Sequence, residues 1–194
     1  MPNGTWRLAV LVSSARADFF GPLIAEWFAG QAGQRADLAV DLIHLADHEL
    51  PAAVSHQPSP ETAEALSEVS VRLADADAYV VVTPEYHQGF PASLRHFIDR
   101  HYTQWCAKPV GFVSYGGPSG GLRAVDRLRP VFAELHAVPV CDAVGFHTVG
   151  EQFGEDGRPK DVTGPAGAAK VLLDQLAWWA TVLREGRAKY PYQP

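Results

Sequence analysis

A chain of 194 residues, 47% of them hydrophobic, has the size of one domain covering 1–194 with a sizeable core. Its net charge of −6 excludes a general binder of nucleic acid or anionic membrane, while leaving room for one local phosphate site. Two distant cysteines, no signal-peptide pattern at residues 1–7 and no apolar run of bilayer length point to a reducing, cytoplasmic setting.

Residues 8–12 form a short apolar run without polar alternation, which reads as a strand buried on both faces. A polar loop follows at 13–18, and Leu23, Ile24, Trp27 and Phe28 then recur at helical spacing between residues 19 and 31. A helix amino end placed directly after a strand offers free N–H groups and a favourable dipole to an anion. Ser14 and Arg16 stand at that point, and a guanidinium suits phosphate oxygens bidentately. The competing reading is an N-cap beside a surface arginine.

Residues 37–45 partly alternate and read as a second strand near a sheet edge, followed by a proline-rich loop over 46–60. His44 and His48 are four apart, a spacing that suits a metal only on a helix. A strand end and a loop are expected there, with no cysteine or carboxylate cluster beside them, so no metal is expected. Ser59-Pro60 marks a helix start, with Ala65, Leu66, Val69 and Leu73 as its apolar stripe.

Residues 78–82 give a third strand of the same covered kind. Pro84 cannot donate to a ladder and should end it. Gly89 permits a sharp backbone path. Pro91 suits a first helical turn, and Leu94, Phe97 and Ile98 continue at helical spacing. Loops at the carboxyl ends of such strands are where ligands bind in open α/β sheets. Pro84, Glu85, Tyr86 and His87 bring a ring, an imidazole, a carboxylate and free backbone groups, which suit a flat heteroaromatic ligand. An ordinary turn is the alternative.

Tyr102, Trp105 and Cys106 are either core or a partner surface. Residues 108–115 read as strand four. The glycine-rich turn 116–121 can bring N–H groups close to a ligand, yet it is neither a P-loop nor a dinucleotide fingerprint. A helix with Leu122, Val125, Leu128, Val131, Phe132 and Leu135 follows. Strand five begins at 137–140 and continues near 144–146. Residues 150–164 read as a flexible loop and candidate lid, 166–187 as a last helix, and 190–194 as a loose tail.

Pro84-Glu85-Tyr86-His87, with Pro91, Leu94 and Asp99, resembles the PEYN signature segment of the NADPH-dependent FMN reductase family, a flavodoxin-like group. Ser14, Arg16, Gly21 and Pro22 match the family's first loop, which holds the FMN phosphate. Ser114, Tyr115, Gly116, Gly117, Gly120, Gly121 and Arg123 match the segment that flanks the flavin ring. Ser13 replaces a glycine of the pattern, Phe19 and Phe20 replace two arginines, and His87 replaces an asparagine. The resemblance spans about residues 8–146.

It implies FMN as cofactor and NADPH or NADH as co-substrate. Ser14 and Arg16 would take the phosphate, with Phe20 lining the pocket or packing into the core. Pro84, Glu85, Tyr86 and His87 would bracket the ring from one side, and Ser114, Tyr115, Gly116, Gly117 and Gly120 from the other. It further implies a small-molecule acceptor such as a quinone, azo compound, metal oxyanion or free flavin, and a homodimer or homotetramer built through helices near residues 102–106. The cofactor carries the chemistry, so no acid–base residue is assigned. Strands alternating with helices imply an α/β doubly wound parallel sheet. The flavodoxin-like order 2-1-3-4-5 places FMN at the switch point of strands one and three. Two rivals stand beside this reading. One is a flavodoxin-like electron carrier. The other is a relative that has lost flavin, suggested by Phe19, Phe20 and His87.

Overall fold

The computed structural model describes residues 4–14, 20–48 and 59–193. Five parallel strands, β1 (Trp6–Val12), β2 (Leu38–His44), β3 (Ala78–Pro84), β4 (Pro109–Tyr115) and β5 (Val138–Phe146), lie in the order β2-β1-β3-β4-β5. The helices are α1 (Phe20–Ala32), α2 (Pro60–Asp75), α3 (Ala92–Ile98), α4 (Leu122–Glu134), α5 (Val149–Gln152) and α6 (Gly164–Lys189). Residues of α1 and α6 pack on one face of the sheet, and residues of α2, α3 and α4 on the other. This is the flavodoxin-like doubly wound arrangement.

The strands that read most clearly as apolar runs are the central ones. Every residue of β3 and β4 is buried, because helices cover both faces. β2 is half-exposed and lies at an edge, as its partial alternation predicts. Strand β5 is the other edge. Its pairing with β4 slips between Val110 and Phe112, whose partners are Pro139 and Ala143, so β5 bulges around exposed Cys141 and Asp142. That bulge is why its apolar run looks broken in sequence.

Gly111 lets α6 settle directly on β4. A Cβ there would stand 2.7 Å from Leu172 Cδ1. At the amino edge of the sheet, Asp77 gathers the two ends of the fold. It accepts from the Arg7 main-chain N–H at 3.0 Å and from Arg184 on α6 at 3.2 Å.

Four expectations change or are decided. Residues 150–164 do not read simply as a loop: residues 150–152 lie in the single turn of α5, and Phe153 bridges to Pro159. Phe153 is buried against Phe146, with ring centroids 5.1 Å apart, which anchors the segment. The tail is attached as well, since Tyr192 Oη lies 2.8 Å from His136 Nδ1. Helix α6 extends two residues beyond the expected 166–187 at each end, with Pro165 in its first turn. Trp105 is fully buried among Tyr79, Phe97 and Phe132, which settles it as core, whereas Tyr102 is exposed.

Candidate functional site

The crossovers that leave β1 toward β2 and β3 toward β4 run in opposite directions, so the loops after β1 and β3 open beside each other. Ser13 continues the ladder, its N–H donating to the Val82 carbonyl at 3.0 Å. Its hydroxyl is fully buried, and Oγ has no hydrogen-bond partner among the described residues. A buried hydroxyl without a partner is costly in a finished fold and ordinary where a ligand completes it. Ser14 is buried next to it and bonds to the Tyr115 phenol. Gly21, in the first turn of α1, is held so close that a Cβ would lie 2.9 Å from both Ser14 Cβ and Tyr115 Oη. The amino end of α1, Ser13, Ser14 and the tip of Tyr115 therefore form one polar corner, where free helix N–H groups favour an anion. Burial pushes the Tyr115 phenol up to about 12, against a smaller lowering by Ser14, so it remains a neutral hydroxyl. Arg16 and Phe19 lie outside the described residues. The Phe20 ring leans toward Phe153, centroids 6.2 Å apart, at the edge of the core.

The loop after β3 is a two-residue turn. Tyr86 N–H donates to the Gly89 carbonyl and Gly89 N–H to the Tyr86 carbonyl, both at 2.9 Å. Its central residues, His87 and Gln88, have φ of 50° and 64°. Positive φ at both positions is the signature of a type I′ turn, normally served by asparagine and glycine. Histidine is among the few side chains enriched in that region. This gives a backbone reason for His87 to stand where the resembled pattern has asparagine. Both side chains are exposed.

Glu85 does something the sequence does not reveal. Its side chain is only 8% exposed and turns toward the β4 loop. It accepts from Ser119 Oγ at 2.8 Å, from the Arg123 main-chain N–H at 3.2 Å and from Arg123 Nη1 at 3.3 Å. Its own N–H donates to the Tyr115 carbonyl at 3.0 Å. Thus Glu85 clamps the loops after β3 and β4 together.

The glycine-rich turn after β4 is dictated by crowding. Gly121 has φ 83°, and a Cβ there would meet Ser114 Cβ and the Tyr115 nitrogen at 2.7 Å. Gly120, at φ 62°, lies under the His147 ring, and its carbonyl accepts from Ser114 Oγ at 2.8 Å. Gly117 faces open space, with nothing within 4 Å of a Cβ position. Thr148 and Val149 N–H groups donate to the carbonyls of Gly117 and Gly116 and fix the turn to the end of β5. Pro84 is buried at the floor, paired with Tyr115 in register.

Sequence reasoning thus placed Ser14, Pro84, Glu85, Tyr86, His87, Ser114, Tyr115, Gly116, Gly117 and Gly120 on three adjoining loops or the strand ends beneath them. It missed Ser13, whose signal was position alone, and His147, which follows the last strand and caps the turn. The clamp partner Ser119 was visible only as part of a turn. Among the described residues no group of three potential ligands forms a metal site, and His44 and His48 sit at a strand end and beyond a 3-10 turn.

The residues fit FMN: a polar corner with an orphaned hydroxyl at one end, and a cradle of glycine and turn backbone for a flat ring at the other. Comparisons agree. The family model described as NADPH-dependent FMN reductase matches residues 6–151. An NAD(P)H-dependent FMN reductase of Schizosaccharomyces pombe is 32% identical over 149 residues, 72% of this chain and 73% of that protein. A 2-hydroxy-1,4-benzoquinone reductase of a Burkholderia species is 29% identical over 70% of this chain and 69% of that one. Among solved structures, FerB of Paracoccus denitrificans, a flavoenzyme NAD(P)H:(acceptor) oxidoreductase, superposes with a TM-score of 0.64 at 22% identity. The match covers 93% of this chain and 98% of that chain.

Proposed function

The chain belongs to the NADPH-dependent FMN reductase family, and from that premise we propose that it reduces a small aromatic acceptor of the quinone class at the loops after β1, β3 and β4. The observation that carries this reading is the convergence of those loops on one sheet edge, with a buried, unpartnered Ser13 hydroxyl at one end and an open Gly117 at the other. The similarity to a benzoquinone reductase supports the acceptor class.

In this reading Ser14, Arg16 and the main-chain N–H groups at the start of α1 bind the FMN phosphate, with Ser13 completing the set. Phe20 walls the corner. Tyr86, His87 and the Pro84–Glu85 backbone border one edge of the ring, and Ser114, Tyr115, Gly116, Gly117 and Gly120 border the other. When bound, FMN supplies a ring that accepts a hydride from nicotinamide and passes two electrons on to the acceptor. The chain's part is to bind, orient and leave one ring face open, so that NAD(P)H and acceptor visit in turn. Glu85 keeps the two ring-side loops at fixed separation through Ser119 and Arg123.

A homodimer or homotetramer fits exposed Tyr102, and a reducing cytoplasm fits the two free thiols of Cys106 and Cys141. No helix among the described residues is long and apolar enough to cross a membrane.

The test is anaerobic mixing of FMN-loaded protein with NADPH, followed by 1,4-benzoquinone. Loss of the visible flavin absorption and its return on adding quinone is the expected result. Absence of the first change would favour an electron carrier, and absence of FMN uptake a relative that has lost flavin.

A further inference from the structure

At the opposite edge of the sheet, before β4, the chain builds a cavity of about 270 Å³ whose lining includes Thr103, Gln104, Cys106, Lys108, Arg187 and Tyr192. Two cations meet there. Lys108 is buried and its Nζ donates to the carbonyls of Leu73 and Ala74, at 3.0 and 2.7 Å, and to Tyr79 Oη at 3.1 Å. All three ammonium donors are therefore spent on the carboxyl end of α2 and on Tyr79. Arg187 comes from the last turn of α6, with its side chain 23% exposed. One of its five N–H groups goes to the Ala107 carbonyl. Its nearest carboxylate, Asp77, is 3.7 Å away, beyond hydrogen-bond reach.

The charge around the cavity is uneven. Arg184 and Arg187 converge on Asp77, which already accepts from Arg184 and from the Arg7 main chain, and Lys108 lies in the field of Asp77 and Asp75. Asp75 is exposed and paired with Arg7. The carbonyl ends of α2 and α6 offset part of the excess. Cys106 adds no negative charge, since burial pushes its thiol up. Burial and Arg187 bring Lys108 down to about 8, so it stays charged at neutral pH. Cations held near a polar hollow, with guanidinium donors left over, are the elements of an oxyanion site.

We infer that this cavity is a second binding site, for a small oxyanion of the phosphate or phosphomonoester class. Arg187 supplies the direct donors, the NH2 of Gln104, whose amide oxygen accepts from Tyr102 N–H at 3.2 Å and from Thr103 Oγ1 at 3.5 Å, completes the set at the rim, and Lys108 provides the field from beneath. The site is separate from the flavin loops, which lie at the carboxyl ends of the same strands.

The experiment is calorimetric titration of the FMN-loaded protein, so that its phosphate corner is filled, with inorganic phosphate and separately with glycerol 3-phosphate. Ionic strength is held with chloride. Saturable binding of one anion per chain is expected, weakened about tenfold or more by Arg187→Gln. Thr103→Glu, which places a carboxylate at the exposed rim and leaves the core untouched, should weaken it comparably and stands in should Arg187→Gln fail to fold. Tighter binding of the ester identifies a phosphorylated metabolite as the source, and tighter binding of phosphate the free ion. No saturable heat with either probe, or binding indifferent to both variants, overturns the assignment.

Discussion

The two edges of the sheet handle charge in opposite ways. At the carboxyl edge the Glu85 carboxylate is consumed by three donors, and the described residues around it offer hydroxyls, glycines and a tight turn. At the amino edge long side chains reach inward, and cations outnumber the carboxylate between them. The first arrangement suits a ligand recognised by shape and main-chain bonds, the second a compact ion recognised by field. One fold can host both because parallel strands present two dissimilar ends, with backbone turns at one and helix carboxyl ends at the other.

The strongest way to sharpen this contrast is pH, because Lys108 at one edge and Tyr115 at the other are displaced in opposite directions. Lys108 titrates at about 8 when folded against 10.5 for the free side chain. Between those values the unfolded chain binds more protons, so stability rises with pH. Tyr115 titrates at about 12 folded against 10.0. There the folded chain keeps its proton longer, so stability is lost from pH 10 upward, and Tyr79, raised in the same direction by burial, adds to the loss. Each interval is worth up to about 3 kcal/mol. Urea midpoints from pH 7 to 11.5 should climb to a maximum near pH 10 and then fall. Lys108→Met should flatten the climb and Tyr115→Phe reduce the fall; identical curves for all three proteins would break the comparison.

Next comes the clamp. Glu85→Ala removes contacts to Ser119 and Arg123 and should raise the Kd for FMN by about ten- to hundredfold, the worth of hydrogen bonds to a charged group. Glu85→Gln should fall between, and fluorescence titration of FMN measures both. An unchanged Kd would mean the ring-side loops hold their positions without the carboxylate. The smallest effect belongs to the turn. Gln88→Gly relieves a left-handed backbone and should stabilise the protein by about 1 kcal/mol, seen as a higher thermal midpoint with FMN affinity nearly unchanged.

Legibility in sequence followed burial. β1, β3 and β4 announce themselves because covered strands need unbroken apolar runs, and their order follows from alternation with helices. β5 reads as two pieces because its bulge puts Cys141 and Asp142 outside the ladder rhythm. The turn of α5 is too short for periodicity and is held by Phe153 and a bridge to Pro159, contacts that no local pattern encodes. The loop residues of the proposed flavin site stand out as motifs. The role of Glu85 was not, since its partners lie 34 and 38 residues away. Arg187 at the amino edge was hidden for the same reason: its bond to Ala107 spans 80 residues.

The Glu85 contacts have a consequence for motion. Neither the loop after β3 nor the loop after β4 can swing out without breaking the same three hydrogen bonds, so the two share one opening event and behave as a single cooperative unit. Amide hydrogens along 85–89 and 116–123 would then exchange with solvent in step, and a nucleotide touching either stretch would slow both.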